Sequence, residues 1–583
     1  MVRARIQRSS YHDSVALLQA QRALRELPGV QEAGVVMATP ANLELLRQAG
    51  LWVQELEGTG PDDLVAAVRA VDAAAADAAL RQLDALLSRR EAASGADYRP
   101  RSVRTAAAQL GGADLALVSV PGRFAAAVAE EALREGLHVM LFSDNVPLED
   151  EVRLKALAGQ RGLLLMGPDC GTAIVAGAGL GFANRVRRGP VGIVAASGTG
   201  LQEVASRVHR AGGGVSCAVG TGGRDLSDRV GGQTFALGLA ALAEDPATEV
   251  VVLLSKPPSP RVADRLVGMA RACGKPVVVN FLGARPPDRA DGVHFAETLQ
   301  EAADLALRLC GLEPPEEETP EPQARLLPGQ RWVRGLFAGG TLCAEAQVVL
   351  SGRLGRVWSN APVCPDAALP PGGASREHTA LDLGADEYTV GRLHPMLDPS
   401  VRDLRLRQEV EDPEVAVVLV DLVLGYGAHP DPASELVRAV RAAQDRLRTA
   451  GREVVFLASV CGTDLDPQGY QAQVATLREA GVWVAGSNAQ AARAAARVAE
   501  AAGGRLVPAD RMQLEFGDEA APLPPVPERV RSLLAGPLRV VNVGLSVFEE
   551  SLRAQGVPVA SVDWRPPAGG DAEMMALLAR LGG

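Results

Sequence analysis

The stretch from Pro190 to Asp225, with the core VGIVAASGTGLQEVASRVHRAGGGVSCAVGTGGRD, constrains the fold more than any other part of the chain. Val191 to Ala195 is a short apolar, β-rich run, Ser197-Gly198-Thr199-Gly200 is turn chemistry, and Leu201 to Arg210 carries apolar residues at helical spacing. The order is strand, tight turn, helix. Ser197 or Thr199 is placed to cap that helix, Gly198 and Gly200 let backbone approach a ligand, and the first-turn N–H groups have no partner inside the helix. Such a terminus attracts an anion. A second strand, Val215 to Val219, runs into Gly220-Thr221-Gly222-Gly223-Arg224, and in a parallel α/β sheet both turns open at the same carboxyl edge. One Gly-rich βα turn is ordinary in such folds, whereas two side by side point to an anion site.

At 583 residues the chain is too long for one core and divides into several domains. Aromatics make up only 3%, so Ala, Val and Leu build the interior. The net charge of −11 and the lack of a basic stripe argue against nucleic acid as a partner. The seven cysteines have neither metal-ligand spacing nor paired density, and no apolar span reaches bilayer length. The expectation is a reduced, cytoplasmic protein with no membrane partner and no metal.

In chain order, Val2 to Ile6 and Val30 to Met37 read as strands. Ser14 to Leu27, Ala41 to Ala49 and the alanine-rich Asp62 to Arg89 read as helices, giving an amino-terminal α/β domain at 1–97. Tyr11-His12-Asp13-Ser14 either faces a site or supplies a helix cap. Residues 98–187 alternate strand and helix in the manner of a parallel Rossmann-like layer and end in Gly167-Pro168-Asp169-Cys170-Gly171-Thr172. Cys170 has no His nearby in sequence and reads as a buried structural residue. Residues 188–311 form a flavodoxin-like layer, and the Pro- and Glu-rich 312–330 is a linker. Residues 331–503, opening with a strand onto Gly339-Gly340-Thr341, repeat the layer. A second linker at 504–537 precedes a small βαβα unit at 538–583, whose Trp564 turn belongs either to an intersubunit contact or to core packing.

Gly167-Pro168-Asp169-Cys170, the Ser197-Gly198-Thr199 turn and Gly220-Thr221-Gly222-Gly223 occur in the order seen in the α subunit of succinyl-CoA synthetase. Residues 102–283 resemble its CoA-binding and ligase layers, and 333–501 resemble the ligase layer of the β subunit. With His378-Thr379-Ala380-Leu381-Asp382, Gly391-Arg392-Leu393-His394-Pro395-Met396 and Val562-Asp563-Trp564-Arg565, the whole chain resembles the FdrA family of that superfamily. The resemblance departs in two places. No Gly-rich CoA loop precedes Ser102, and the neighbourhood of the relay histidine reads Gly292-Val293-His294-Phe295, without the glycine that should follow His294. His294 therefore reads as structural, and CoA and nucleotide binding are in question.

The fold expected is α/β, with several Rossmann-like and flavodoxin-like parallel-sheet domains resembling fused succinyl-CoA synthetase α and β ligase layers. The resemblance implies that one helix from each half points at a shared phosphate, the matching helices beginning near Gly198 and near Gly427 to Pro432. Phosphate-binding candidates are Gly198, Gly200, Gly222, Gly223, Arg224, Gly339, Gly340, Thr341, Asp386, Gly425 and Gly427. Catalytic candidates are Ser197, Thr199, Arg392 and His394, Arg392 or Arg224 for a substrate carboxylate and His394 for proton exchange near neutral pH. The resemblance further implies a carbamoyltransferase of ureide breakdown, taking oxalurate and phosphate to oxamate and carbamoyl phosphate with companion subunits in an oligomer. An NDP-forming acyl-CoA synthetase and a non-catalytic scaffold subunit are the alternatives. Phosphate or carbamoyl phosphate is the expected ligand.

Overall fold

The computed structural model describes the chain apart from residues 9, 11–13, 61–62, 88–99, 286–291, 316–320, 323, 390–392, 508–510 and 567–583. Its strands form four sheets, three of them wholly or largely parallel, so the protein is α/β throughout.

The amino-terminal sheet is antiparallel, with Leu64–Ala70 between Val2–Gln7 and Val30–Met37. The helix expected over Asp62 to Arg89 is thus corrected: Leu64–Ala70 is the central strand and a helix begins only at Ala73, capped by Asp72. Alanine has no strong voice in a strand, and the packing decides. Leu64, Ala66 and Val68 enter one apolar cluster while Val65 and Ala67 enter another, the period of two of a strand buried on both faces.

In the seven-stranded sheet, parallel strands run in the order Val293–Phe295, Val277–Phe281, Val250–Ser255, Val191–Ala195, Val215–Gly220. A hairpin, Thr172–Val175 and Ala178–Gly181, adds two antiparallel strands that the parallel pattern of the sequence does not foresee. The parallel part of the sheet begins at Val191–Ala195 and then builds outward on both sides, so strand order reverses there. Such a reversal opens a crevice at the carboxyl end of the strand. The second ligase-type sheet is fully parallel, in the order Thr379–Asp382, Trp332–Phe337, Val415–Val423, Val455–Cys461, Trp483–Ala485, and reverses at Trp332–Phe337.

The last parallel sheet joins the two ends of the chain. Val559–Ser561 and Val540–Val543 lie beside Leu115–Val118, His138–Leu141 and Leu165–Met166. Where the sequence suggests a separate carboxyl-terminal unit, hydrogen bonding merges it into the Rossmann-like layer, because the fully buried Leu115–Val118 needs a partner on each edge. Trp564 packs on Phe124, with ring centroids 5.5 Å apart. The segment expected as a second linker contains a helix, Glu528–Ala535, that buries Val530 and Leu533. One apolar cluster runs from the Rossmann-like layer through both ligase-type layers. Among the described residues, no helix is long and apolar enough to cross a membrane.

Candidate active site

The two reversal strands deliver their turns to one place. After Val191–Ala195, Ser197 caps the helix Gly198–Arg210: its Oγ accepts the Gly200 N–H at 3.0 Å and lies 2.5 Å from Thr341 Oγ1. After Trp332–Phe337, Gly339 begins the helix Gly340–Leu354 and offers no side-chain cap. The cap comes from the other half, Thr199 Oγ1 accepting the Thr341 N–H at 3.3 Å. The first helix therefore caps the second across the layers, and the Ser197–Thr341 hydroxyl pair ties the two N-termini together. Asp421, on the neighbouring strand, accepts the N–H groups of Ala338 and Gly339 at 2.7 Å each and fixes the second turn. Gly340 must be glycine, since a Cβ there would stand 2.4 Å from Asp382 Oδ2. The N–H groups of Gly198, Thr199 and Gly340 find no acceptor among the described residues. Three free donors at paired positive helix ends form an anion cradle.

Charged residues from the carboxyl edges of all three parallel sheets surround this point. Asp144 and Asp169 come from the Rossmann-like layer, Lys256 and Arg224 from the first ligase-type layer, and Asp382 and Asp386 from the second. Asp169 is open to solvent yet walled by protein. Burial, then the charges of Asp144 and Asp386, push its carboxyl up to about 7, against the pull of Lys256 and Arg224. Asp382 and Asp144 are also raised, in each case by burial first. A carboxyl that titrates near neutrality suits proton transfer. Asp169, Lys256, Asp382 and Asp421 are the residues that sequence reasoning passes over, although Asp169 sits in the Gly167-to-Cys170 motif. Its φ of +56° is the left-handed conformation that non-glycine residues seldom adopt. Its neighbour Cys170 is buried and pushed up to about 12, as befits a structural thiol.

The other expected residues divide. Asp386 joins the charged wall. Gly222 packs against Pro168 O, and Gly223 faces Asp169. Arg224 is not a free clamp: its Nε lies 3.1 Å from Glu151 Oε2 and its Nη2 donates to Val146 O at 2.7 Å. Glu151 is fully buried beside Lys155 and requires that second cation. Arg392 lies outside the described residues, as do Tyr11, His12 and Asp13.

His394 stands against Phe182, with ring centroids 5.4 Å apart, and beside Gly384. Burial pushes its pKa down to about 4, which corrects the expectation of proton exchange near neutral pH. Its Nδ1 accepts the Met396 N–H at 3.2 Å, which assigns the proton of the neutral ring to Nε2. His394 is thereby a hydrogen-bond donor. His294 is exposed on the edge strand Val293–Phe295, on the far side of two strands from Val191–Ala195.

The Gly427 turn is the main correction. It does not meet the Ser197 turn as its partner; Gly339 to Thr341 do. Gly425, with φ +111°, would place a Cβ 2.5 Å from Ala183 O, and the Tyr426 N–H donates to that same oxygen at 2.8 Å. These glycines serve close packing onto the Phe182 segment. The helix that follows, Pro432–Thr449, has its own anion, since Asp431 Oδ1 accepts the Ser434 N–H at 3.3 Å.

Two family models match the chain: CoA-ligase over residues 336–498, and AllF, heavy metal-associated domain, over residues 1–102. The uncharacterized protein YahF of Escherichia coli (strain K12) is 42% identical over 493 residues, 83% of this chain and 96% of that protein. The mitochondrial succinate–CoA ligase [ADP-forming] subunit alpha-2 of Trichomonas vaginalis is 32% identical over 188 residues, 30% of this chain and 58% of that protein. Among solved structures, the dinucleotide-forming acetyl-coenzyme A synthetase 1 of Ca. Korarchaeum cryptofilum (apo form) covers 67% of this chain and 83% of its own at 17% identity. Its TM-score of 0.28 means that the two chains do not superpose as wholes.

Proposed function

The chain belongs to the FdrA-like family of YahF and carries a CoA-ligase domain, and from that premise we propose that its cleft moves an acyl group between a carrier and inorganic phosphate. The observation that supports this reading is the junction of two helix N-termini, Thr199 of the first capping the second, with the N–H groups of Gly198, Thr199 and Gly340 left over. Phosphate rests on those donors and is oriented by them, with Lys256 offsetting the surrounding carboxylates. One of its oxygens attacks the carbonyl carbon, and charge develops on the carbonyl oxygen. The Nε2–H of His394 is the donor offered to that oxygen. As the bond to the carrier breaks, protonated Asp169 gives the leaving group its proton.

With a thioester the reaction is acyl-CoA plus phosphate giving acyl phosphate plus CoA. For the phosphates of CoA, the fit rests on the helix Gly122–Arg134, which starts at the reversal strand Leu115–Val118 without a side-chain cap and carries Arg123 in its first turn. No histidine carries phosphate in this scheme, because the Nδ1 of His394 is taken by Met396 and its Nε2 bears the proton.

A second reading keeps the same attack with a ureido carbonyl: oxalurate plus phosphate gives oxamate and carbamoyl phosphate, oxamate leaving with the proton of Asp169. The AllF-type amino-terminal match and the FdrA resemblance favour it. On this reading the protein is a cytoplasmic subunit that works with companions.

Hydroxylamine trapping separates the two. The purified protein, alone and with the products of neighbouring genes, is supplied with phosphate and either acyl-CoA thioesters or oxalurate. Acyl hydroxamate formed faster than the direct reaction of the thioester with hydroxylamine, and only when protein and phosphate are both present, supports the first reading, and hydroxyurea with the same dependence supports the second. Neither product, or a phosphohistidine after incubation with labelled ATP, removes the direct-attack scheme.

A further inference from the structure

A second cavity, of about 480 Å³, lies between the amino-terminal domain and the second ligase-type layer. This is the volume of a metabolite-sized site. One wall comes from the amino-terminal domain, apolar around Leu17, Val35 and Leu46 and charged at Arg25, Glu32 and Arg69. The other is the helix Ser400–Glu409 with the start of Pro432–Thr449.

The charges on the lining can be sorted by what they already bind. Arg25 pairs with Glu32 at 2.5 Å, Arg438 pairs with Glu435, and Arg69 donates to Ala49 O at 3.1 Å. Asp398 accepts the Ser400 N–H at 3.1 Å. Asp403 and Arg407 are left. Asp403 Oδ1 is buried and has no hydrogen-bond partner among the described residues, a costly state for a carboxylate. Arg407 makes no hydrogen bond or ion pair among the described residues. The two stand four residues apart on one helix, about 6 Å between Cβ atoms, and share a face.

An acceptor and a cation one helical turn apart, facing the apolar patch of Leu17, Val35 and Leu46 on a wall whose charges are already paired or bonded, complement an ammonium, a carboxylate and an apolar side chain presented together. We propose that this cavity binds a free α-amino acid with an apolar side chain, its ammonium on Asp403 and its carboxylate on Arg407. The site is independent of the phosphate cradle. It lies behind the loop of His394, since Leu393 and Asp398 line it.

The test is isothermal titration of the full chain with L-leucine, L-methionine and L-phenylalanine, together with the two halves of leucine, 3-methylbutylamine and 4-methylpentanoate. At least one amino acid is expected to bind saturably. Each half-molecule is expected to bind leucine's site at least about tenfold more weakly, which is about 1.4 kcal/mol. Asp403→Asn and Arg407→Gln are each expected to lose about tenfold as well. Val401→Trp fills the cavity from a half-buried position and is expected to abolish binding while thermal unfolding without ligand stays cooperative. Absence of binding by all three amino acids overturns the proposal. So does binding that survives all three substitutions, and so does an amine half that binds as well as the amino acid.

Discussion

Two turns at the carboxyl edge of the same sheet begin alike and end differently. Both Gly339-Gly340-Thr341 and Gly425 to Asp431 follow an apolar strand with glycine and lead into a long helix. The second helix brings its own carboxylate, Asp431, held also by Gln473 at 3.0 Å, and its Pro432 removes a donor from the first turn. The first helix brings nothing, and takes its cap from Thr199 of the other half. A helix end recruits a ligand through what its own side chains leave unmet. Glycine content alone does not distinguish the two.

That contrast can be broken by giving the Ser197 terminus an anion of its own. Gly198→Asp is a tight substitution, its Cβ meeting Thr172 Oγ1 at 3.2 Å so that the threonine must give by a few tenths of an ångström, and its carboxylate then competes for the free donors. Turnover in the trapping assay is expected to fall by about 10²- to 10³-fold. Unchanged turnover would take the cradle out of the chemistry.

Asp421→Ala sharpens the comparison from the supporting side. It leaves the N–H groups of Ala338 and Gly339 unsatisfied in the interior and takes from Arg402 a carboxylate 3.8 Å away. The expected cost is about 3 kcal/mol in urea unfolding. Asp431→Ala, at the self-capped helix, is expected to cost about 1 kcal/mol of stability and to leave turnover unchanged. A loss of turnover there would restore the Gly427 terminus to the site.

The smallest effect is on pH dependence. The Asp169 carboxyl is raised from 3.8 to about 7, so its relative contribution to stability is fully present below pH 3.8 and is lost as pH rises through 7. Asp169→Asn stays neutral throughout. It is expected to match the parent protein in acid, to be more stable than the parent above pH 7 in thermal melts, and, with no proton to give the leaving group, to turn over more slowly and without the inflection near pH 7. A parallel pair of stability curves would place the carboxyl at its ordinary value.

The sequence makes legible those features that local chemistry decides. Val191–Ala195, Val250–Ser255 and Val415–Val423 read as strands because parallel strands covered on both faces are apolar at every position. Ser197 reads as a cap because its acceptor reaches only to Gly200. Features set by distant partners are not legible in this way. The Thr199–Thr341 bond spans 142 residues, and nothing near Gly339 announces that its cap comes from another layer. The edge of Leu115–Val118 is filled by Val540–Val543, a pairing that no local pattern encodes. Leu64–Ala70 misleads because alanine accepts either conformation and packing selects the strand. Asp169 is perturbed first by burial and then by Asp144 and Asp386 arriving from the ends of two other strands, and His394 only when Phe182 and the Gly384 turn close around it.

The most direct test of the cradle between the two joined helix N-termini is a crystal structure of the protein grown with inorganic phosphate, with saturation checked by titration in solution. Phosphate is expected within hydrogen-bonding distance of the Gly198 and Thr199 N–H groups, beside Thr341. Phosphate at the Gly425 to Asp431 turn instead, or at neither turn while the protein is saturated, would contradict it.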